Sequence, residues 1–132
     1  MIRAIQIQTS QHIEVINVTE QLAEMVHDVA DGLALFYIPH TTAALIINED
    51  DQELRDDFVK IAKNWLAACR PFAHIRKNNP NTEAHVFSAF AGNSITLAIE
   101  AGDLDLGSYQ NILLLEMDGP KRREIRCKVV RS

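Results

Sequence analysis

Cysteine is scarce in the 132 residues: only Cys69 and Cys127 occur, and neither has a close cysteine partner. A disulfide framework is excluded, and both read as small buried hydrophobes in a reducing compartment. Positive charge is also short, with 13 basic residues against 18 acidic ones and a net charge of -5. That balance offers no broad field for nucleic acid or an anionic membrane, so neither is expected as a partner. No apolar run approaches the roughly eighteen residues of a membrane span, and no basic-then-apolar leader is present. A soluble, cytoplasmic protein is the expectation. Internal repeats, low-complexity segments and tight metal pairs such as CxxC or HxxxH are missing as well.

What is present is a hydrophobic fraction of 47% in a chain of one-domain length, so residues 1–132 are read as a single domain with its own core. Residues 2–8 and 12–15 are β-prone and joined by Thr9-Ser10-Gln11, which predicts a hairpin. His12, beside Glu14 on the polar side, reads as solvated surface. Thr19 is a predicted N-cap for a helix with Leu22, Met25, Val26 and Val29 on one face, ended by Asp31-Gly32. His27 lies off that face, near the helix C-terminus, where the dipole alone accounts for it. Apolar runs at 33–38 and 45–47 predict strands buried on both faces.

Residues 50–68 carry the strongest helical pattern, with Leu54, Phe58, Ile61, Ala62, Trp65, Leu66 and Cys69 on one face. Asp50, Asp51 and Glu53 crowd its first turn as capping acids. Pro71 begins a long loop over 71–81, followed by a short helix before Gly92 and an alternating strand over 94–99. Turns at 101–103 and Gly107 precede an apolar strand over 112–117. The last strand, 124–130, places Ile125, Cys127 and Val129 inward and Arg126 and Lys128 outward. About seven or eight strands with two or three helices, not alternating one for one, give an α+β fold with a largely antiparallel sheet system.

Chemistry concentrates at Pro39-His40-Thr41-Thr42, the polar interruption between two apolar runs, and in Asn48-Glu49 after the second. A polar patch there is either satisfied internally or presented to a ligand. His74 and His85 are the other histidines without a surface or helix-end explanation. Spacings of 34 and 11 residues are not diagnostic of a metal, although a catalytic site can gather three histidines from separated elements. Three separately satisfied polar residues is the alternative. With a cation on neutral imidazoles, Glu49 would be a candidate general acid or base, and Thr41 and Thr42 could donate to phosphate or carboxylate. As β-branched residues the two threonines equally suit a strand end.

His40-Thr41-Thr42-Ala43, Asn48-Glu49, Asn81-Thr82-Glu83-Ala84-His85, the Gly92-Asn93-Ser94-Ile95-Thr96-Leu97 strand entry, Gly107-Ser108-Tyr109-Gln110 and Asp118-Gly119-Pro120 occur in that order. In this the chain resembles the YjbQ family, often named secondary thiamine-phosphate synthase, over nearly everything from residue 33 onward. The resemblance implies a compact sandwich or barrel-like α+β protomer assembled as a homotrimer, with histidine sites near subunit interfaces. It implies that His40, His74 and His85 ligate a divalent metal, zinc foremost, although imidazoles suit several metals. Asn48, Glu49 and Gln110 match family positions. Ser108-Tyr109 stands where Thr-Trp is usual, Ala98 where proline is common, and Lys121 where arginine commonly follows Asp-Gly-Pro. Lys121 keeps the charge for a phosphate but loses arginine's fork.

The function so implied is that of a metal-dependent enzyme on a small phosphorylated molecule, with secondary thiamine-phosphate synthase activity. Two other functions stand beside it: a non-catalytic trimeric protein that binds a metal or phosphorylated ligand, and a metal-assisted hydrolase using Glu49.

Overall fold

The computed structural model describes residues 1–74 and 81–132, apart from the Leu66 side chain. Among the described residues eight strands and three helices follow in the order β1 (Arg3–Gln8), β2 (Glu14–Asn17), α1 (Thr19–Val26), β3 (Asp31–Tyr37), β4 (Ala43–Asn48), α2 (Gln52–Ala67), α3 (Thr82–Ala91), β5 (Ser94–Glu100), β6 (Asp103–Leu104), β7 (Asn111–Glu116) and β8 (Arg122–Arg131). They form two sheets, β1-β8-β3-β5-β6 and β2-β7-β4, antiparallel throughout. The α+β class with an antiparallel sheet system is therefore as expected. Of the loop read over 71–81, residues 75–80 lie outside the described residues.

Between the sheets sits the main core. The larger sheet supplies Ala34, Phe36, Leu97, Ile99, Ile125 and Cys127; Ala43, Leu45, Ile112 and Leu114 face them from the smaller one. Leu22 and Val26 of α1 close one end. On its other face the smaller sheet carries Ala44, Leu113 and Leu115, which pack against Phe58 of α2 and Phe87 and Ala91 of α3. The order is sheet, sheet, helices. Covering on both faces explains the unbroken Ile-Leu-Leu-Leu of β7.

Several local expectations are corrected. No hairpin joins β1 to β2, because β1 pairs with β8 and β2 with β7, and the chain changes sheets between them. β3 is not buried on both faces. Its odd-numbered residues turn outward, leaving Leu33 and Leu35 exposed, while Ala34 and Phe36 enter the core. Asp31-Gly32 opens this strand and does not close α1; a Cβ at Gly32 would stand 2.2 Å from Val130 O. Thr19 does not cap α1. Val18 holds that position, and the Thr19 hydroxyl donates to Asn17 Oδ1 (2.6 Å) and accepts the Ile112 N–H (2.8 Å). Cys69 is exposed, two residues past the end of α2; Cys127 is buried as expected. Asp51 does cap α2, accepting the Leu54 N–H at 3.1 Å.

Candidate ligand and metal site

The segment 38–42 carries the chain from the larger sheet into the smaller one, and three backbone bonds hold its course: Ile38 N–H to Asn93 O, Leu45 N–H to Gly92 O and Met117 N–H to Thr42 O. Behind it lies a buried ion pair. Glu116 is fully buried and Arg123 is 3% exposed; both Arg123 Nε and Nη2 donate to the carboxylate, the former at 2.9 Å. Arg123 Nη2 also donates to Thr42 O (3.0 Å) and Thr42 Oγ1 (2.9 Å). The Thr9 hydroxyl (2.7 Å) and the Asp118 N–H (3.1 Å) complete the carboxylate's partners. Burial by itself would raise the Glu116 carboxyl; the bonds from Arg123, Thr9 and Asp118 outweigh it and hold the group below its ordinary value.

His40 sits on this frame half-buried, its Nε2 accepting the Glu124 N–H at 2.9 Å. A nitrogen that accepts from a backbone amide carries no proton, so the neutral ring keeps its proton on Nδ1. Burial, then the Arg123 charge, hold the imidazole below its usual pKa and favour that neutral form. Among the described residues Nδ1 has no protein partner.

A cavity of about 390 Å³ opens between this segment and α3, lined among others by His40, Thr41, His85, Ser88, Gly92 and Asn93. Among the described residues no carboxylate lines it. His85 and Ser88 share one face of α3 at a spacing of three residues, and Gly92, the C-cap, follows four residues on. His74 stands outside that lining, but its ring lies 5.3 Å from that of His85 at 81°. Two imidazoles on one tetrahedral ion, each nitrogen about 2.0–2.1 Å from it, place their ring centres roughly 5 Å apart. The centroid separation of His74 and His85 matches that spacing, with the rings meeting edge to face. His40 joins them only through the cavity it shares with His85, and its Nε2 is engaged elsewhere. No group of three metal-ligating side chains of His, Cys, Asp or Glu gathers among the described residues.

The other candidates divide between the two ends of β4. Thr41 is exposed at the cavity, whereas Thr42 is buried with its hydroxyl taken by Arg123. Lys121 holds Asp118 Oδ2 at 2.6 Å and does not line the cavity. Asn48, Glu49 and Gln110 are at the far end of the strand, about 17 Å from its start at 3.3–3.4 Å per residue. There Asn48 Oδ1 accepts the Glu49 N–H (2.8 Å) and Gln110 Oε1 accepts the Gly107 N–H (2.7 Å). Within one chain Glu49 does not reach the histidines.

The sequence profile of the family described as UPF0047 protein YjbQ-like matches residues 3–132. The chain belongs to this family. A UPF0047 protein of Archaeoglobus fulgidus is 36% identical, covering 94% of this chain and 97% of that one. The UPF0047 protein YugU of Bacillus subtilis is 33% identical, with 98% and 99% covered. A hypothetical protein of Aeropyrum pernix K1 has a crystal structure of TM-score 0.92 at 29% identity, covering 100% of this chain and 99% of its own. That of a YbjQ-like protein of unknown function from Sulfolobus solfataricus P2 gives 0.90 at 27%, with 100% and 97% covered.

Sequence reading missed Glu116, Arg123, Ser88 and Asn93. Two of them had a signal. Glu116 is a carboxylate inside an apolar strand, and Arg123 lies in the same inward register as Ile125 and Cys127, so each announced a buried partner.

Proposed function

We propose that the chain binds a small phosphorylated molecule in the His40–His85 cavity and acts on it as a cytoplasmic, metal-dependent enzyme. Thiamine-phosphate synthase activity, the joining of a pyrimidine diphosphate to a thiazole phosphate, is the reaction the family resemblance puts first. The observation that carries the reading is the cavity itself, into which four kinds of polar side chain converge with hydrogen-bonding capacity unspent and no carboxylate to repel an anion. His74 and His85 are the residues that would hold a divalent ion, zinc foremost. Bound there, it would neutralise phosphate charge and polarise a phosphoryl oxygen. His40 contributes a neutral N–H donor, oriented by the Glu124 amide; Thr41 adds a hydroxyl.

A second reading, non-catalytic binding of the same ligand, is favoured by the position of Glu49 at the opposite end of β4. The same position disfavours a hydrolase that draws on Glu49 of its own chain. In either reading the protein is a homotrimer, and the exposed apolar outer face of the larger sheet supports burial against further copies.

The test is elemental analysis of untagged protein purified without chelator, followed by assay with the two thiamine precursors. About one ion per chain, lost in His85→Ala and His74→Ala but retained in His40→Ala, is expected. Product formation that His40→Ala abolishes supports the enzyme; saturable binding without product supports the binding protein. A parent that takes up no zinc, manganese or nickel removes the metal.

A further inference from the structure

Ser88 is 7% exposed, and its hydroxyl has no hydrogen-bond partner among the described residues. A buried hydroxyl left without a partner costs folding free energy, so native structures seldom retain one unless something else occupies it. Serine also forms helix less readily than alanine, and Ser88 stands inside α3 between Phe87 and Ala89, the latter on the same cavity. Alanine would satisfy the fold better. Ser88 lines the cavity that holds His40 and His85, with its Oγ just beneath the accessible surface.

We propose that Ser88 is a ligand-binding residue whose hydroxyl donates, together with His40 Nδ1–H and the Thr41 hydroxyl, to a phosphate group of the ligand. This deepens the reading above and rests on it. Three neutral donors from the 38–42 segment and from α3 face one space without a carboxylate, which suits an oxyanion. The C-terminal end of α3 would ordinarily present carbonyls that oppose an anion. Here the Ser88 carbonyl of the last turn is taken by the Gly92 N–H, and the two carbonyls that follow the helix, Gly92 O and Asn93 O, accept the Leu45 and Ile38 N–H. Gly92 also leaves the space open, since a Cβ built on it meets nothing within 4 Å.

The experiment compares the parent with Ser88→Ala by calorimetric titration against inorganic phosphate, pyrophosphate and acetate, with thermal unfolding of each protein. The parent should bind phosphate or pyrophosphate and not acetate. Ser88→Ala should weaken that binding about 10-fold to 100-fold, as expected for one donor to a charged acceptor, while its Tm stays the same or rises. Unchanged binding in Ser88→Ala overturns the role of Ser88 and leaves the phosphate cavity standing. A lowered Tm with unchanged binding overturns it too, and assigns the hydroxyl to the fold. A parent that binds none of the three overturns both readings, and preference for acetate replaces phosphate by carboxylate.

Discussion

Arg123 binds the Glu116 carboxylate, the Thr42 carbonyl and the Thr42 hydroxyl, and so couples the buried ion pair to the segment that carries His40. Removing one partner of such a pair strands a buried charge, so Arg123→Ala should lose about 3–5 kcal/mol in urea unfolding at neutral pH. Replacing both, as Glu116→Leu with Arg123→Met, should cost much less. If the double variant is as unstable as the single one, the loss comes from the Thr42 anchor and not from an orphaned charge. The pH dependence has a definite sign. Because Glu116 is held below its ordinary value, its contribution is complete above the unfolded carboxyl value of about 4.3 and fades as pH falls through the lower native one. Parent and Arg123→Ala should therefore converge in acid. His40 titrates in the same sense. Its native pKa is depressed by burial and then by Arg123, so its protonation on acidifying below about 6.5 opposes folding. Histidine nitrogen chemical shifts followed by NMR should give a neutral Nδ1–H ring at neutral pH; a protonated ring there would contradict the bond Nε2 accepts from Glu124, and an Nε2–H tautomer the donor role of Nδ1.

At the scale of elements, α1, α2 and β7 are tied by one asparagine. Asn17 Nδ2 donates to Asp50 (2.8 Å) and Asn111 (3.1 Å), and its Oδ1 accepts from Thr19, while Arg55 clasps Asp50 and the Val15 carbonyl. Asn17→Ala should cost about 1–3 kcal/mol and speed amide exchange at the start of α1 and at Ile112, with little change in the cavity. Equal exchange across the molecule would show that the tie is dispensable. This knot also marks where the sequence stopped being informative. Alternation at 94–99 and 124–130 reported correctly which residues face inward, because burial of one face is a local property of each strand. Partner choice is not local. β1 and β2 are adjacent in sequence and both β-prone, yet the strands that complete them come from beyond residue 110, so the hairpin was the wrong inference. The same limit acted at the site. Spacing could not reveal that His74 and His85 lie side by side, nor that Asn48-Glu49, only a few residues after His40, is carried away by the length of β4.

For the molecule as a whole, the uncovered face of the larger sheet is the feature that one chain leaves unexplained. The smaller sheet is covered on both faces, by the larger sheet and by α2 and α3, but Leu33 is 49% exposed and Val130, its register partner on β8, 62%. Leu35 follows two residues on, and Ala98 pairs with Leu33 from β5, so apolar side chains run across three neighbouring strands. Surface leucines scattered singly need no explanation, whereas a contiguous set across a sheet marks a contact surface. Arg126 and Lys128 border it on β8 and give it the polar margin such surfaces carry. Closed assembly by homotrimer formation would bury this set. Light scattering after gel filtration should then give three times the chain mass of 14.8 kDa for the parent, and Leu33→Asp with Leu35→Lys should lower it while far-ultraviolet dichroism stays native. A parent of one chain mass would reject the trimer outright. A double variant that remains trimeric would move the contact to another surface. Should the variant dissociate and keep phosphate binding, the His40–His85 cavity is complete within one chain; if binding falls with assembly, a neighbouring copy supplies part of it, and the distant Asn48-Glu49 end of β4 becomes the first place to look for that part.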